Sequence, residues 1–355
     1  MIDLREILQC AEKLGASTIH LRAREVPIYR VVDNLVRHDS APIESAELDG
    51  LVSGLLDTRL SEAYDRDGDV HFLYHDEATT YKANCFRLID GHGLVFEPIR
   101  AEHPSLDDLG LPRYLDDFLA LRSGLVLLTG PIGCGKTTTQ AALINTLNRE
   151  REIHILTVED PIEQVHEDGS SLVQQLEVGQ HVASMAEGID LARRTRPDVV
   201  FVSEIIDVET VEAVLASASS GLLVVASVHA SSTTQAVAKL EQFFGREERE
   251  AARSRIADVL RVVACQVLVH KQYGTGRLPV FEVLTNTEEV RRELEAGRYD
   301  RLRAIMAKNR GLGMCSLDDA LYDMVLHNRV LASEAMNYAV DKERFEACRK
   351  LPQLS

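Results

Sequence analysis

One short stretch, GPIGCGKTTT at 130–139, constrains this chain more than any other. It satisfies G-x-x-x-x-G-K-[ST] through Gly130, Gly135, Lys136 and Thr137, a pattern that works only where a glycine turn joins a buried strand to the start of a helix. LVLLT supplies that strand and TTQAALINTLN that helix. The turn, comprising Gly130, Pro131, Ile132, Gly133, Cys134 and Gly135, would aim backbone N–H groups and a helix N-terminus at phosphate oxygens. Lys136 would reach the β and γ phosphates, the Thr137 hydroxyl would sit on Mg²⁺, and Thr138 completes the phosphate-binding set. The expected ligand is ATP with Mg²⁺.

Around that turn the pattern alternates. Apolar runs of strand length (LVLLTG, HILTVE, LVQQLE, VVFVSE, LLVVASV) are separated by helical stretches near 184–194, 208–219 and 234–243. Such strands, apolar on both faces, indicate a mainly parallel sheet covered by helices on each side. Residues 114–355 therefore read as an α/β domain, with a strand pair near 265–270 and 279–284 and a helical appendix over the last stretch. The first hundred residues mix a helical pattern (Leu4, Ile7, Leu8, Ala11, Leu14) with short alternating segments, IHLRAR, PIYRVV and YKANCF, which reads as a smaller α+β domain. AEHPSLDDLGLPR at 101–113, rich in proline, glycine and acids, reads as the linker between them.

In a parallel nucleotide-binding sheet, ligands gather at the carboxyl ends of the strands. VVFVSE delivers Glu204 there, where a carboxylate can orient and deprotonate an attacking water. HILTVEDPIE delivers Glu159 and Asp160, followed by Glu163; two adjacent carboxylates suit a site that also holds a cation. LLVVASVHASS delivers His229, read as a γ-phosphate sensor. His71 and His75, four apart on a strand, could face one side, but no third ligand accompanies them. GREEREAARSR at 245–255 reads as a solvated helical face carrying its own Glu and Arg pairs.

Charge and cysteine usage limit the partners. With 39 basic and 56 acidic residues the net charge is −17, which opposes phosphate backbones, and no nucleic acid is expected. The apolar runs are far shorter than the roughly 20 residues a membrane-spanning helix needs, and Asp3, Arg5 and Glu6 interrupt the region a secretory signal would keep apolar. Six scattered cysteines form no C-x-x-C pair, so reduced thiols in the cytoplasm are expected.

Taken together, the four strand ends resemble the secretion-ATPase superfamily, most closely the type IV pilus retraction, or twitching motility, ATPases. GPIGCGKTTT resembles the family's Walker A, ILTVEDPIEQVH its aspartate box, RPDVVFVSEIID its Walker B and SVHASSTTQAVAKL its histidine box. GASTIHLRAREVPIYRVVDNLVR is similar to the family's opening domain, and CSLDDALYDMVLHNRVLASEAMNYA to its C-terminal helices. The resemblance implies a PAS-like domain at 1–100 and a RecA-like ATPase domain at 114–355, six copies in a ring, and ATP between the domains. It further implies that the ring works on an inner-membrane platform protein, with a paralogous pilus ATPase as a further partner, and that Glu204, Glu163, His229 and Arg194 serve catalysis.

Several arginines typical of the family are replaced. Thr80 and Lys82 stand in TYKANCF, Glu97 precedes the domain's end, Leu176 stands in QLEVG, Ile206 in SEIID, and Glu295 in RRELE, where Arg291 is kept. An arginine near the γ-phosphate is worth roughly 10³–10⁵ in rate where it acts as a finger. The losses imply either slower hydrolysis, with Lys82, Arg87 or Arg100 taking over the charge, or an alternative role as a weakly active accessory subunit of a pilus or secretion motor.

Overall fold

In the computed structural model, residues 3–31, 34–76, 79–99, 106, 109, 120–273 and 276–348 are described. The chain divides into two compact units, one holding 1–102 with 163–165 and the other 103–162 with 166–355. Of the expected linker, only Leu106 and Leu109 lie among the described residues, and Arg100 lies outside them.

The first unit is built on period-two burial. β1 (Thr18–Arg22), β2 (Ile28–Val31), β3 (Asn34–Arg37), β4 (Asp69–His75), β5 (Thr80–Leu88) and β6 (Gly91–Ile99) form an antiparallel sheet in the order β3-β2-β1-β6-β5-β4. Three helices, α1 (Leu4–Leu14), α2 (Ser45–Leu55) and α3 (Thr58–Asp67), share one apolar core with it. α1 is defined by its ends: the Asp3 side chain accepts from the Glu6 N–H, and Gly15 closes it at φ 63°. Leu4, Ile7, Leu8 and Ala11 pack against Ile19, Leu21, Tyr81 and Phe96, whereas Leu14, expected on the same stripe, is 39% exposed.

Alternation puts Tyr81, Ala83 and Cys85 on the core side of β5 and leaves Thr80 and Lys82 on the other, where Lys82 lies directly across from Glu97. The positions that lost arginines in this unit thus share one sheet face. Arg87 is on the opposite face from Lys82, paired with Asp65 at 2.9 Å and lying 5.3 Å over the Tyr64 ring. His71 and His75 lie on β4, and no metal-binding group of three or more His, Cys, Asp or Glu occurs among the described residues.

The second unit is the expected α/β domain. Its sheet runs β13-β12-β7-β11-β10-β8-β9, using β7 (Gly124–Thr129), β8 (His154–Glu159), β9 (Leu172–Glu177), β10 (Val199–Val202), β11 (Leu223–Val228), β12 (Leu260–His270) and β13 (Arg277–Thr285). Every pairing is parallel except β12 with β13. Both faces are covered. Val126 and Leu128 pack with Ala142, Leu143 and Leu147 of α4 (Lys136–Glu150). Leu125 and Leu127 face the side covered by α5 (Met185–Thr195), α6 (Val208–Ser219), α7 (Thr233–Gln242) and α8 (Arg249–Val259). Burial on both faces is why these strands read as unbroken apolar runs.

Most of 245–255 is exposed, as a solvated face requires, with Ala252 as its buried residue. Its arginines differ from the expectation in pairing outside α8: Arg255 reaches Glu212 on α6 through two bonds of 2.8 Å, and Arg253 lies 3.5 Å from Glu241 on α7. After β13 the chain is helical: α9 (Glu288–Glu295), α10 (Leu302–Lys308), α11 (Leu317–Leu326), α12 (Ala332–Tyr338) and α13 (Lys342–Cys348). Leu321, Val330, Ala335 and Phe345 of this appendix bury Val267, Val269, Leu278 and Val280 of the β12–β13 hairpin. No described helix is long and apolar enough to cross a membrane.

Candidate functional site

The P-loop lies between β7 and α4, and its glycines have separate reasons. Gly130, at φ 149°, could not carry a Cβ, which would stand 2.4 Å from the Gln266 carbonyl and 2.5 Å from the Cys134 sulfur. Gly135, at φ 88°, opens α4. Registers across the sheet set Thr129 beside Val228, Ala226 beside Val202, and Val202 beside Val158, so the ends of β7, β11, β10 and β8 form one edge.

Along that edge runs a chain of contacts. Lys136 Nζ donates to the Gly130 carbonyl at 3.1 Å and to His229 Nδ1 at 3.1 Å, and His229 Nε2 lies 3.1 Å from Glu204 Oε1. A lysine ammonium only donates, so Nδ1 accepts and the imidazole proton sits on Nε2, facing the carboxylate. His229 is also anchored through its backbone, whose carbonyl accepts from Lys239 Nζ at 2.9 Å. Gln140 of α4 donates to the Val202 carbonyl at 3.1 Å, which ties the loop's helix to the strand that presents Glu204. The loop lysine Lys136 and the strand-end residues His229 and Glu204, read separately in the sequence, thus form one hydrogen-bonded unit.

Other expected residues are not part of it. Glu159 ends β8, the third strand from β7, about 14 Å away at usual sheet spacing. Its Oε1 accepts from Thr157 at 2.6 Å and from Gln175 at 2.9 Å. Glu204, linked to Lys136 through His229, is the carboxylate joined to the loop by hydrogen bonds. Glu163 is exposed in the loop beyond Asp160. Arg194 is exposed on the last turn of α5, where it lines an open groove with Glu187, Asp190, Arg193 and Ser220. α5 runs from the carboxyl edge back toward the start of β10, so Arg194 stands away from the loop of its own chain.

Two of the replaced arginine positions are accounted for by packing. Leu176 packs against the core on the α5 side of the sheet, and Glu295 holds Arg291 at 3.2 Å while Arg291 also pairs with Asp258. Ile206 is 58% exposed just past Glu204.

A cavity of about 350 Å³ adjoins the loop between α4 and the β12–β13 hairpin. Gly135, Thr138 and Thr139 line one side, Leu268, Leu278 and Pro279 another, and Lys271, Arg277 and Arg329 add three cationic side chains. Sequence reading missed these cations because the appendix and hairpin that bring them together are distant in the chain. It also missed Gln266, although a glutamine inside LRVVACQVLVH is the kind of lone polar residue that a buried strand must satisfy.

The donors present fit Mg²⁺ arriving with phosphates. Thr137 and Glu204 offer hard oxygen, and an ion that keeps several waters needs only one or two protein ligands. The loop, the acidic strand end and the histidine at the carboxyl edge of a parallel sheet define a P-loop ATPase.

The chain belongs to the type II/IV secretion system protein family, whose model matches residues 2–343. It is 30% identical over 345 residues to the "Type IV pilus retractation ATPase PilT" of Pseudomonas aeruginosa, covering 97% of this chain and 100% of that one. It is also 30% identical to a twitching motility protein of Neisseria gonorrhoeae, over 89% of this chain and 85% of the relative. Among solved structures, one of the pilus retraction motor PilT with bound ADP superposes with a TM-score of 0.87 at 29% identity, covering 98% of this chain and 100% of the other.

Proposed function

We propose that the chain works as a hexameric ring that converts ATP hydrolysis into domain motion and so powers type IV pilus retraction. The observation that carries this reading is the intact Lys136–His229–Glu204 unit on a fold that follows a retraction motor over nearly its whole length. Each link has a task. Lys136, bonded to loop carbonyls and to His229, would donate to β- and γ-phosphate oxygens of bound nucleotide. His229, in contact with that lysine and with Glu204, is placed to register whether the γ-phosphate is present. Glu204, with Oε1 taken by His229, keeps its other oxygen for the attacking water. Mg²⁺ held by the Thr137 hydroxyl, with Glu204 reaching it only through the ion's water shell, would neutralise charge developing on the phosphates.

The replaced arginines do not leave the site without positive charge: Lys271, Arg277 and Arg329 line the cavity beside Thr138. Arg194, turned away from its own loop, suits a role at a neighbouring protomer's nucleotide. The ring would sit in the cytoplasm and meet the inner membrane through a platform protein of the pilus machinery, beside a paralogous pilus ATPase.

The test is ATP turnover at a known assembly state, comparing wild type with Lys136→Ala and Glu204→Gln. Lys136→Ala should lose nucleotide binding. Glu204→Gln should still bind and turn over roughly 10²–10⁴ times more slowly. Wild-type turnover far below about 1 s⁻¹ in every assembly, against a usual range of about 1–10³ s⁻¹, would instead favour the weakly active accessory subunit.

A further inference from the structure

We infer that Gln266 is a positioning residue of the phosphate loop, whose side-chain amide fixes the loop's shape before nucleotide arrives. The inference rests on the loop's assignment to nucleotide phosphates and adds a residue from a strand outside the four strand-end segments discussed above.

Gln266 is 3% exposed on β12. Its Nε2 donates to the Cys134 carbonyl at 2.7 Å, and its Oε1 accepts from the Thr139 hydroxyl at 2.7 Å. One amide therefore joins the loop two residues before Lys136 to the helix three residues after it. Both partners are buried, and a buried carbonyl or hydroxyl that loses its bond is costly, so the two bonds favour a single loop conformation.

The same residue explains the crowding at both motif glycines. A Cβ on Gly130 would stand 2.4 Å from the backbone carbonyl of Gln266, and one on Gly135 would stand 3.1 Å from its side-chain Nε2. The loop is closed over the glutamine at its first and last glycine. With its carbonyl at Cys134 turned onto Gln266, the loop keeps that oxygen away from where phosphate oxygens must sit.

The energetic consequence is specific. A loop that is binding-competent only part of the time lowers apparent affinity in proportion to that fraction, while bound complexes still react normally. Loss of the amide should therefore raise the ADP dissociation constant and KM and leave kcat nearly unchanged. A general loss of packing would not split the constants in that way.

Two substitutions test this. Gln266→Leu keeps bulk and removes both bonds. It should fold, weaken ADP binding by about tenfold with kcat within about twofold, and speed amide hydrogen exchange in 130–139 of the nucleotide-free protein while other segments keep their protection. Gln266→Glu retains an acceptor for Thr139 but regains a donor for Cys134 only when protonated. Burial at this position disfavours the ionised carboxylate and so raises its titration range, and the ADP-binding deficit should be about tenfold near pH 8 and shrink as pH falls toward 5.5. Charged or titratable groups around that position are Lys136 and Cys134 on the loop, Cys265 and Glu282 on the hairpin, and Lys271, Arg277 and Arg329 in the cavity. All are shared with wild type, which is measured at each pH.

Loop exchange unchanged by Gln266→Leu, or a Gln266→Glu deficit independent of pH, would overturn the inference. Should the leucine variant fail to fold, the pH series decides alone. A wild-type chain that binds no ADP would count against the nucleotide assignment, and loop exchange would still decide the role of Gln266.

Discussion

At the scale of single residues, Cys134 places a sulfur inside a phosphate-binding loop, 3.9 Å from Lys136 Nζ. A lysine neighbour favours a thiolate, but burial opposes it more strongly, and the thiol is held above its ordinary range. Cys265, on the neighbouring strand, is pushed up by burial and by Glu282, and Cys315 is pushed up to about 11, chiefly by burial. The sign follows directly: a raised pKa keeps the neutral thiol to higher pH, and only the thiolate attacks alkylating reagents. Iodoacetamide at neutral pH should therefore spare Cys134 and leave ATP turnover intact, with labelling and inactivation appearing together as pH rises. Peptide mass spectrometry of Cys134 against time checks this; rapid labelling at pH 7 would mean that the loop opens far more than its burial indicates.

At the scale of elements, close approach between α5 and β8 depends on Gly188. A Cβ there would stand 2.5 Å from Val158 Cγ1 and 3.3 Å from a Val182 methyl, although the backbone itself is ordinary helix. Gly188→Ala gains up to about 1 kcal/mol of helix propensity but overpacks the interface by about 1–3 kcal/mol, so a net loss is expected, read as a lower melting temperature. A higher melting temperature would show that α5 shifts freely. Helix and strand spans of this unit were legible in the sequence because burial on both faces leaves uninterrupted apolar runs, and the loop declared its own strand and helix. Strand order was not legible. Nothing in HILTVEDPIE tells that β8 lies third from β7. The pairing of Gln266 with Cys134 and Thr139, the burial of Leu176 and the outward pairing of Arg255 were hidden for the same reason. Periodicity reports which side of an element is buried; it is silent on what buries it.

At the scale of the whole molecule, the proposed ring must bring together copies that each carry a net charge of −17. Like charges of that size repel, and the repulsion reaches about 30 Å at 0.01 M salt but only about 8 Å at 0.15 M. Assembly should therefore strengthen as salt rises over that range, the reverse of what attraction between oppositely charged faces alone would give. If Arg194 acts on a neighbour's nucleotide, turnover per chain depends on assembly. The expected result is a specific activity that falls on dilution, recovers with salt between 0.01 and 0.15 M, and follows the hexamer fraction measured by sedimentation; Arg194→Ala should assemble and remain slow throughout. Specific activity that stays constant while the hexamer fraction falls would place the complete catalytic set within one chain, and Arg194 would then be a surface residue of α5 with no part in hydrolysis.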